Sequence, residues 1–214
     1  MGRIKTKSTT LTIIEALDDP QIIVNAIKTL IYSSKDLIFD EIQILTTDNL
    51  NELSLNLIQK YNIKHTVIKK LGYPLEFSLF CLKDLYKYIK TDHCLLVQRD
   101  GYVLNGNLWN DKFLNYDYIG APCWDNLVGN GGFSLRSFKL LKTTADAPFE
   151  LNEQSHNCED MYICKTYRNY FLEKGINFAP VELARNFSME CYNEHYKNSL
   201  FGAHRIYNNY WDII

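Results

Sequence analysis

Cys94-Leu95-Leu96-Val97-Gln98-Arg99-Asp100-Gly101 is the stretch on which the fold reading turns. Its first four residues are apolar at every position and not at alternate ones, the pattern of a strand covered on both faces at the centre of a parallel sheet. The run then stops abruptly in polar and turn-forming residues. Ligands of open α/β sheets gather beyond the carboxyl ends of the strands, so this stop marks an expected site. Upstream, strand patterns over 11–16, 41–47 and 65–69 alternate with helix patterns over 20–31 and 50–61. That order gives a mainly parallel sheet flanked by helices. Leu75, Leu79, Leu82, Tyr86 and Ile89 form one apolar helical stripe, which predicts a helix over 75–90. Downstream, shorter strands are expected over 118–121, 133–136 and 178–183, and a last helix over 160–174, closed by Gly175.

No linker rich in Pro, Gly or Ser divides the chain, and no internal repeat is visible. The expectation is a short tail (1–9) followed by one α/β domain (10–214), with a nucleotide-binding half over 10–103 and an irregular donor and acceptor half over 104–214. The 214 residues are 46% hydrophobic and 22% charged, which excludes a disordered chain. With 23 basic against 25 acidic residues and no basic block, a nucleic-acid partner is not expected. No apolar run approaches the roughly 20 residues of a membrane-spanning helix, and the polar start lacks the apolar centre of a secretory signal. A cytoplasmic protein is the expectation. Six cysteines without a Cys-x-x-Cys pair read as reduced core residues.

Five features carry chemistry. Asp100, at the end of the central strand, can hold Mg²⁺ or Mn²⁺, and Arg99 beside it can neutralise charge; the same residues also read as a tight Asp-Gly turn. In Val128-Gly129-Asn130-Gly131-Gly132-Phe133-Ser134-Leu135-Arg136-Ser137 the glycines allow close backbone approach to a ligand and expose amide donors, or else form a hairpin tip. Glu159 and Asp160 open the late helix, where acids complement the helix dipole, and the dipole is expected to hold the Asp160 pKa low. Asp160 lies three and seven positions before Ile163 and Tyr167, on the inward face, which makes it a candidate base or ligand. His204, in Phe201-Gly202-Ala203-His204, can complete a metal site begun by Asp100, or be a polar residue with a satisfied hydrogen bond. Trp109 and Trp124 can stack on a sugar or base, or belong to the core.

The order of these features is itself informative: a strand ending in Asp-Gly, Tyr-Ile-Gly-Ala-Pro-x-Trp, the Gly-Asn-Gly-Gly-Phe-Ser-Leu-Arg block, Glu-Asp before a helix, Phe-Ala-Pro-Val-Glu-x-Ala, then Phe-Gly-x-His. Together they resemble a family of glycosyltransferase-like domains with the GT-A fold, over about residues 10–205. The resemblance implies a nucleotide-sugar donor, a UDP-sugar first of all, a hydroxyl acceptor and a divalent cation, Mn²⁺ or Mg²⁺. By it Asp100 takes the last acidic position of an Asp-x-Asp motif and His204 a C-terminal metal ligand. Gly131 and Gly132 line the donor sugar, with Asn130 and Trp124 beside it. Asp160 is the acceptor-activating carboxylate of an inverting reaction, and adjacent Glu159 is the second catalytic candidate, since a shift of one residue in helix register exchanges their roles. Glu15 and Asp48 face the nucleoside. Gln98 stands where the first Asp of the motif belongs, which bears on metal affinity. Two other readings remain: a sugar- or nucleotide-binding module without turnover, and a nucleotidyltransferase, which needs clustered acids and a basic phosphate loop that this sequence lacks.

Overall fold

The computed structural model describes residues 2–123, 126–151, 158–196 and 198–207. The first half runs Ile4–Lys5 (β1), Thr9–Glu15 (β2), Pro20–Ser33 (α1), Leu37–Ile38 (β3), Glu41–Thr46 (β4), Glu52–Lys60 (α2), Lys64–Val67 (β5), Leu75–Lys83 (α3) and His93–Val97 (β6). After it come Tyr102–Val103 (β7), Tyr118–Ile119 (β8), Pro122–Cys123 (β9), Leu127–Val128 (β10), Phe133–Ser137 (β11) and Phe138–Asp146 (α4). The chain continues through Glu159–Met161 (α5), Arg168–Glu173 (α6), Val181–Phe187 (α7), Ser188–Met189 (β12) and Gly202–Ala203 (β13). The main sheet has the order β5-β4-β2-β6-β11-β8. Its first four strands are parallel, and β11 runs antiparallel to both its neighbours.

Side-chain alternation along β6 explains why residues 94–97 are apolar at every position. Leu95 and Val97 enter one core with Ile23, Ile27 and Leu30 of α1, while Cys94 and Leu96 enter a second with Phe77, Phe80 and Cys81 of α3 and Leu141 of α4. A fully buried side chain of this kind contributes roughly 1.5–3 kcal/mol, so a charge anywhere on the strand would unseat one helix layer. Asp19 starts α1 by accepting the Gln21 and Ile22 N–H groups, with Pro20 in the first turn. α4 was not foreseen; Ser137 Oγ starts it by accepting the Leu140 N–H at 3.0 Å.

Several boundaries differ from expectation. Residues 4–5 of the expected tail pair in parallel with Leu37–Ile38, and Arg3 bonds the Ser34 and Leu37 carbonyls. The helix over 75–90 ends at Lys83, because Asp84 leaves helical geometry (φ −124°) and takes Lys87 with its carboxylate; Leu85–Tyr88 is a separate 3₁₀ turn. Over 178–183 only Phe178 bridges to the sheet, at Tyr118, and α7 follows. Pro180 is the cause: it cannot donate to a ladder, and its φ of −69° suits a helix start. The helix over 160–174 is interrupted by a π-turn over Tyr162–Thr166. Trp109 is core, packed edge-on against Phe113 and Phe201. No described helix is long and apolar enough to cross a membrane.

A small three-stranded sheet, β12-β13-β7, positions the late histidine. Ala203 pairs with Tyr102 in antiparallel register, so His204 comes to stand beside Gly101, and the Ile206 N–H bonds the Asp100 carbonyl at 2.8 Å. This crossing depends on Gly202, where a Cβ would lie 2.2 Å from the Phe133 ring.

Candidate active site

The end of β6 folds back at once. Gln98 and Gly101 exchange both backbone hydrogen bonds, 2.8 and 3.0 Å, so the tight-turn reading holds and Asp100 is displayed at the tip of that turn. Around it lies a cleft with two lobes that share Tyr73, Phe77, Gln98, His204 and Arg205. The larger, about 670 Å³, is walled by Asn130, Gly131, Gly132, Glu159 and Asp160. The smaller, about 470 Å³, lies at the end of β2 and includes Glu15, Leu17, Arg99 and Asp100.

Asp100 and His204, more than a hundred residues apart in sequence, face each other with 3.6 Å between Oδ1 and Nε2. The other ring nitrogen, Nδ1, lies 3.1 Å from Glu190 Oε2, and Arg205 Nε holds the second Glu190 oxygen at 3.0 Å. Burial alone would lower the His204 pKa; the bonds to Asp100 and Glu190 overcome it and raise it to about 9. For Asp100 burial pushes upward, and His204 more than offsets this, holding the carboxyl below its usual range. Among the described residues no three His, Cys, Asp or Glu side chains are grouped to hold a cation. The pair nevertheless suits a partial site. With its pKa raised, His204 carries a proton on Nε2 near neutral pH that a cation would displace; the Glu190 carboxylate on Nδ1 would then fix the tautomer that leaves Nε2 as a ligand, and Mg²⁺-type sites often combine one or two protein ligands with substrate phosphates and water.

The glycine loop differs from the expected amide cradle. The Gly131 N–H is given to Asp160 Oδ2 at 3.2 Å and the Gly132 N–H to Asn130 Oδ1 at 3.1 Å, so both are used within the protein. Small size is demanded here by the protein's own side chains. A Cβ on Gly131 would lie 2.1 Å from Glu159 Oε1, and one on Gly132 2.2 Å from His204 Nε2. Asn130 supports the turn at φ 70°, and its buried Nδ2 has no partner among the described residues.

Glu159 and Asp160 part company. Glu159 is buried and its Oε1 is bound by Arg136 Nη2 at 2.8 Å, although it too borders the larger lobe. Asp160 lines the cleft and accepts from the Met161 and Gly131 N–H groups. The expectation that a helix dipole keeps its pKa low is wrong: α5 has three residues, and burial together with adjacent Glu159 raises it. Glu15 and Arg99 form a 2.7 Å ion pair on the smaller lobe. Asp48 is exposed and lines neither lobe. Trp124 lies outside the described residues. Of the cysteines expected in the core, Cys81, Cys94 and Cys164 are buried, whereas Cys123, Cys158 and Cys191 line the larger lobe.

Sequence reasoning assigned no role to Arg136 or Glu190. A signal existed for the first: Arg136 alternates with Leu135 inside a strand that is buried throughout, and a buried cation requires a carboxylate. Nothing around Met189-Glu190-Cys191 singled out the second.

This architecture, a mostly parallel sheet between helices, is shared with solved glycosyltransferase structures. Among solved structures it is similar to a glycosyltransferase involved in glycosylation of the major capsid of PBCV-1 (TM-score 0.55, 14% identity, 96% of this chain and 99% of that one). An active-site mutant of LgtC (TM-score 0.53, 11% identity, 91% and 86%) and the apo form of the glycosyltransferase GlyE of Streptococcus pneumoniae TIGR4 (0.50, 16%, 94% and 55%) share it. The chain itself belongs to the DUF5672 family, a "protein of unknown function" family whose profile matches residues 75–204. No curated protein sequence matches it.

Proposed function

We propose that the protein is a glycosyltransferase that moves a sugar from a nucleotide-sugar donor, a UDP-sugar first of all, to an acceptor hydroxyl with inversion. The observation that carries the reading is the convergence on one cleft, at the carboxyl edge of the sheet, of the Asp100–His204 pair and the Asp160 carboxylate. In this reading the acceptor oxygen attacks the anomeric carbon, the bond from that carbon to the diphosphate oxygen breaks, and the acceptor proton passes to Asp160. General-base assistance of this kind is worth about 10²–10⁴ in rate. Asp160 keeps its direction through the Gly131 and Met161 amides, and its raised pKa brings its proton affinity closer to the working pH. Mn²⁺ or Mg²⁺ held by Asp100 and His204 would supply charge neutralisation at the leaving diphosphate. Arg99, half-exposed on the smaller lobe and tethered by Glu15, would face the nucleotide side. Calorimetry tests the cation part. UDP should bind more tightly with Mn²⁺ than without, and Asp100→Ala or His204→Ala should remove the difference; UDP affinity indifferent to Mn²⁺ refutes it.

A further inference from the structure

We infer that Arg136, acting through Glu159, is the positioning residue that aims Asp160 into the cleft. The inference rests on the reading of Asp160 as the acceptor base. Arg136 is wholly buried in β11, and its contacts form a closed circuit. Nη2 bonds Glu159 Oε1 at 2.8 Å and lies 3.4 Å from the Gly131 carbonyl, Nε donates to Ser134 Oγ at 3.0 Å, and the guanidinium lies over the Tyr118 ring at 5.6 Å. Glu159 Oε2 in turn accepts from Ser78 Oγ of α3 at 3.4 Å. Gly131 closes the circuit, giving its carbonyl to Arg136 and its N–H to Asp160.

A buried ion pair is a weak source of stability, since well-packed apolar residues of similar volume are often as good or better. What this pair supplies is position. Asp160 sits in a three-residue helix followed by a π-turn, and such a segment has little rigidity of its own. Its neighbour is instead bolted to the central sheet on one side and to α3 on the other. The Gly131 amide that receives Asp160 belongs to the same bolt. A small displacement of a base costs rate steeply, whereas the bonds of Arg136 run to Ser134, Gly131 and Glu159 and not to Asp100 or His204.

The test is a set of kinetic comparisons with and without Asp160. Arg136→Met combined with Glu159→Met removes both charges together, and Arg136→Lys keeps the charge but not the fork that spans Glu159 and Ser134. Each is measured alone and in an Asp160→Asn background, following sugar transfer and donor KM. With Asp160 present, kcat should fall at least tenfold while donor KM stays within twofold. In the Asp160→Asn background the same changes should alter the residual rate by less than twofold. Equal fold-losses in both backgrounds, or an unchanged kcat with Asp160 present, overturn the inference while leaving the transferase reading intact. If the Met pair fails to fold, Arg136→Lys decides by the same comparison. No transfer by the wild-type chain from any nucleotide sugar overturns both readings.

Discussion

Gly132→Ala is the smallest change that interrogates the site. The added Cβ would lie 2.2 Å from His204 Nε2 and 2.5 Å from both Cδ2 and Cε1, and Gly132 is not in the left-handed region, so the clash and not the backbone sets the penalty. To restore ordinary contact the imidazole must retreat by more than an ångström, which breaks its 3.1 Å bond to Glu190 and its approach to Asp100. Overpacking of this kind costs about 1–3 kcal/mol and a lost bond to a charged group about 1.5–3, together roughly 3–5 kcal/mol. At about 2–4 °C per kcal/mol for a domain of this size, the melting temperature should fall by roughly 6–20 °C. Thermal unfolding of Gly132→Ala, His204→Ala and the double variant separates this account from a generic turn defect. Once His204 is alanine the clash is gone, and adding Gly132→Ala should cost about 1 kcal/mol or less. An equal drop in both backgrounds would mean that the turn itself, and not His204, sets the cost.

Arg136→Ala leaves Glu159 as an unpaired buried carboxylate and should cost about 3–5 kcal/mol in denaturant unfolding, far more than the joint exchange of both residues for Met. Asp160→Asn should keep donor KM within twofold while steady-state kcat for transfer falls by about 10²–10⁴. Because burial and Glu159 raise the Asp160 pKa, the folded state holds that proton more tightly than the unfolded chain, so the ionised carboxylate opposes folding near neutral pH and the opposition fades on acidification. The wild-type protein should therefore gain stability relative to Asp160→Asn as the pH falls from 7 toward about 4, whatever offset the Asn side chain adds by losing one of the two N–H bonds; a difference that does not change with pH contradicts the shift. Transfer rate should rise with pH through a midpoint above the usual aspartate range, and a flat profile there counts against the base.

The parallel half of the fold was readable because its information is local. Four successive apolar residues in β6 serve two cores, and Asp19-Pro20 announces α1 where it begins. The second half was less readable because its structure is decided by contacts between distant segments. Pro180 turned an apparent strand into α7, and the pairing that carries His204 to Asp100 involves strands of two residues each, too short for any period to register. The candidate site was legible in its residue types and order more than in its wiring. What no spacing could register is that the two glycines also make room for Glu159 and His204, and that Glu159 pairs with Arg136.

Nucleotide release decides whether the protein turns over a nucleotide sugar. Incubating the protein with a panel of UDP-, GDP- and other nucleotide sugars, with and without Mn²⁺, should show slow release of the nucleoside diphosphate from one donor, faster with Mn²⁺ and lost in Asp100→Ala. A donor that binds without any release across the panel would contradict the account and point to a sugar- or nucleotide-binding module built on the same fold.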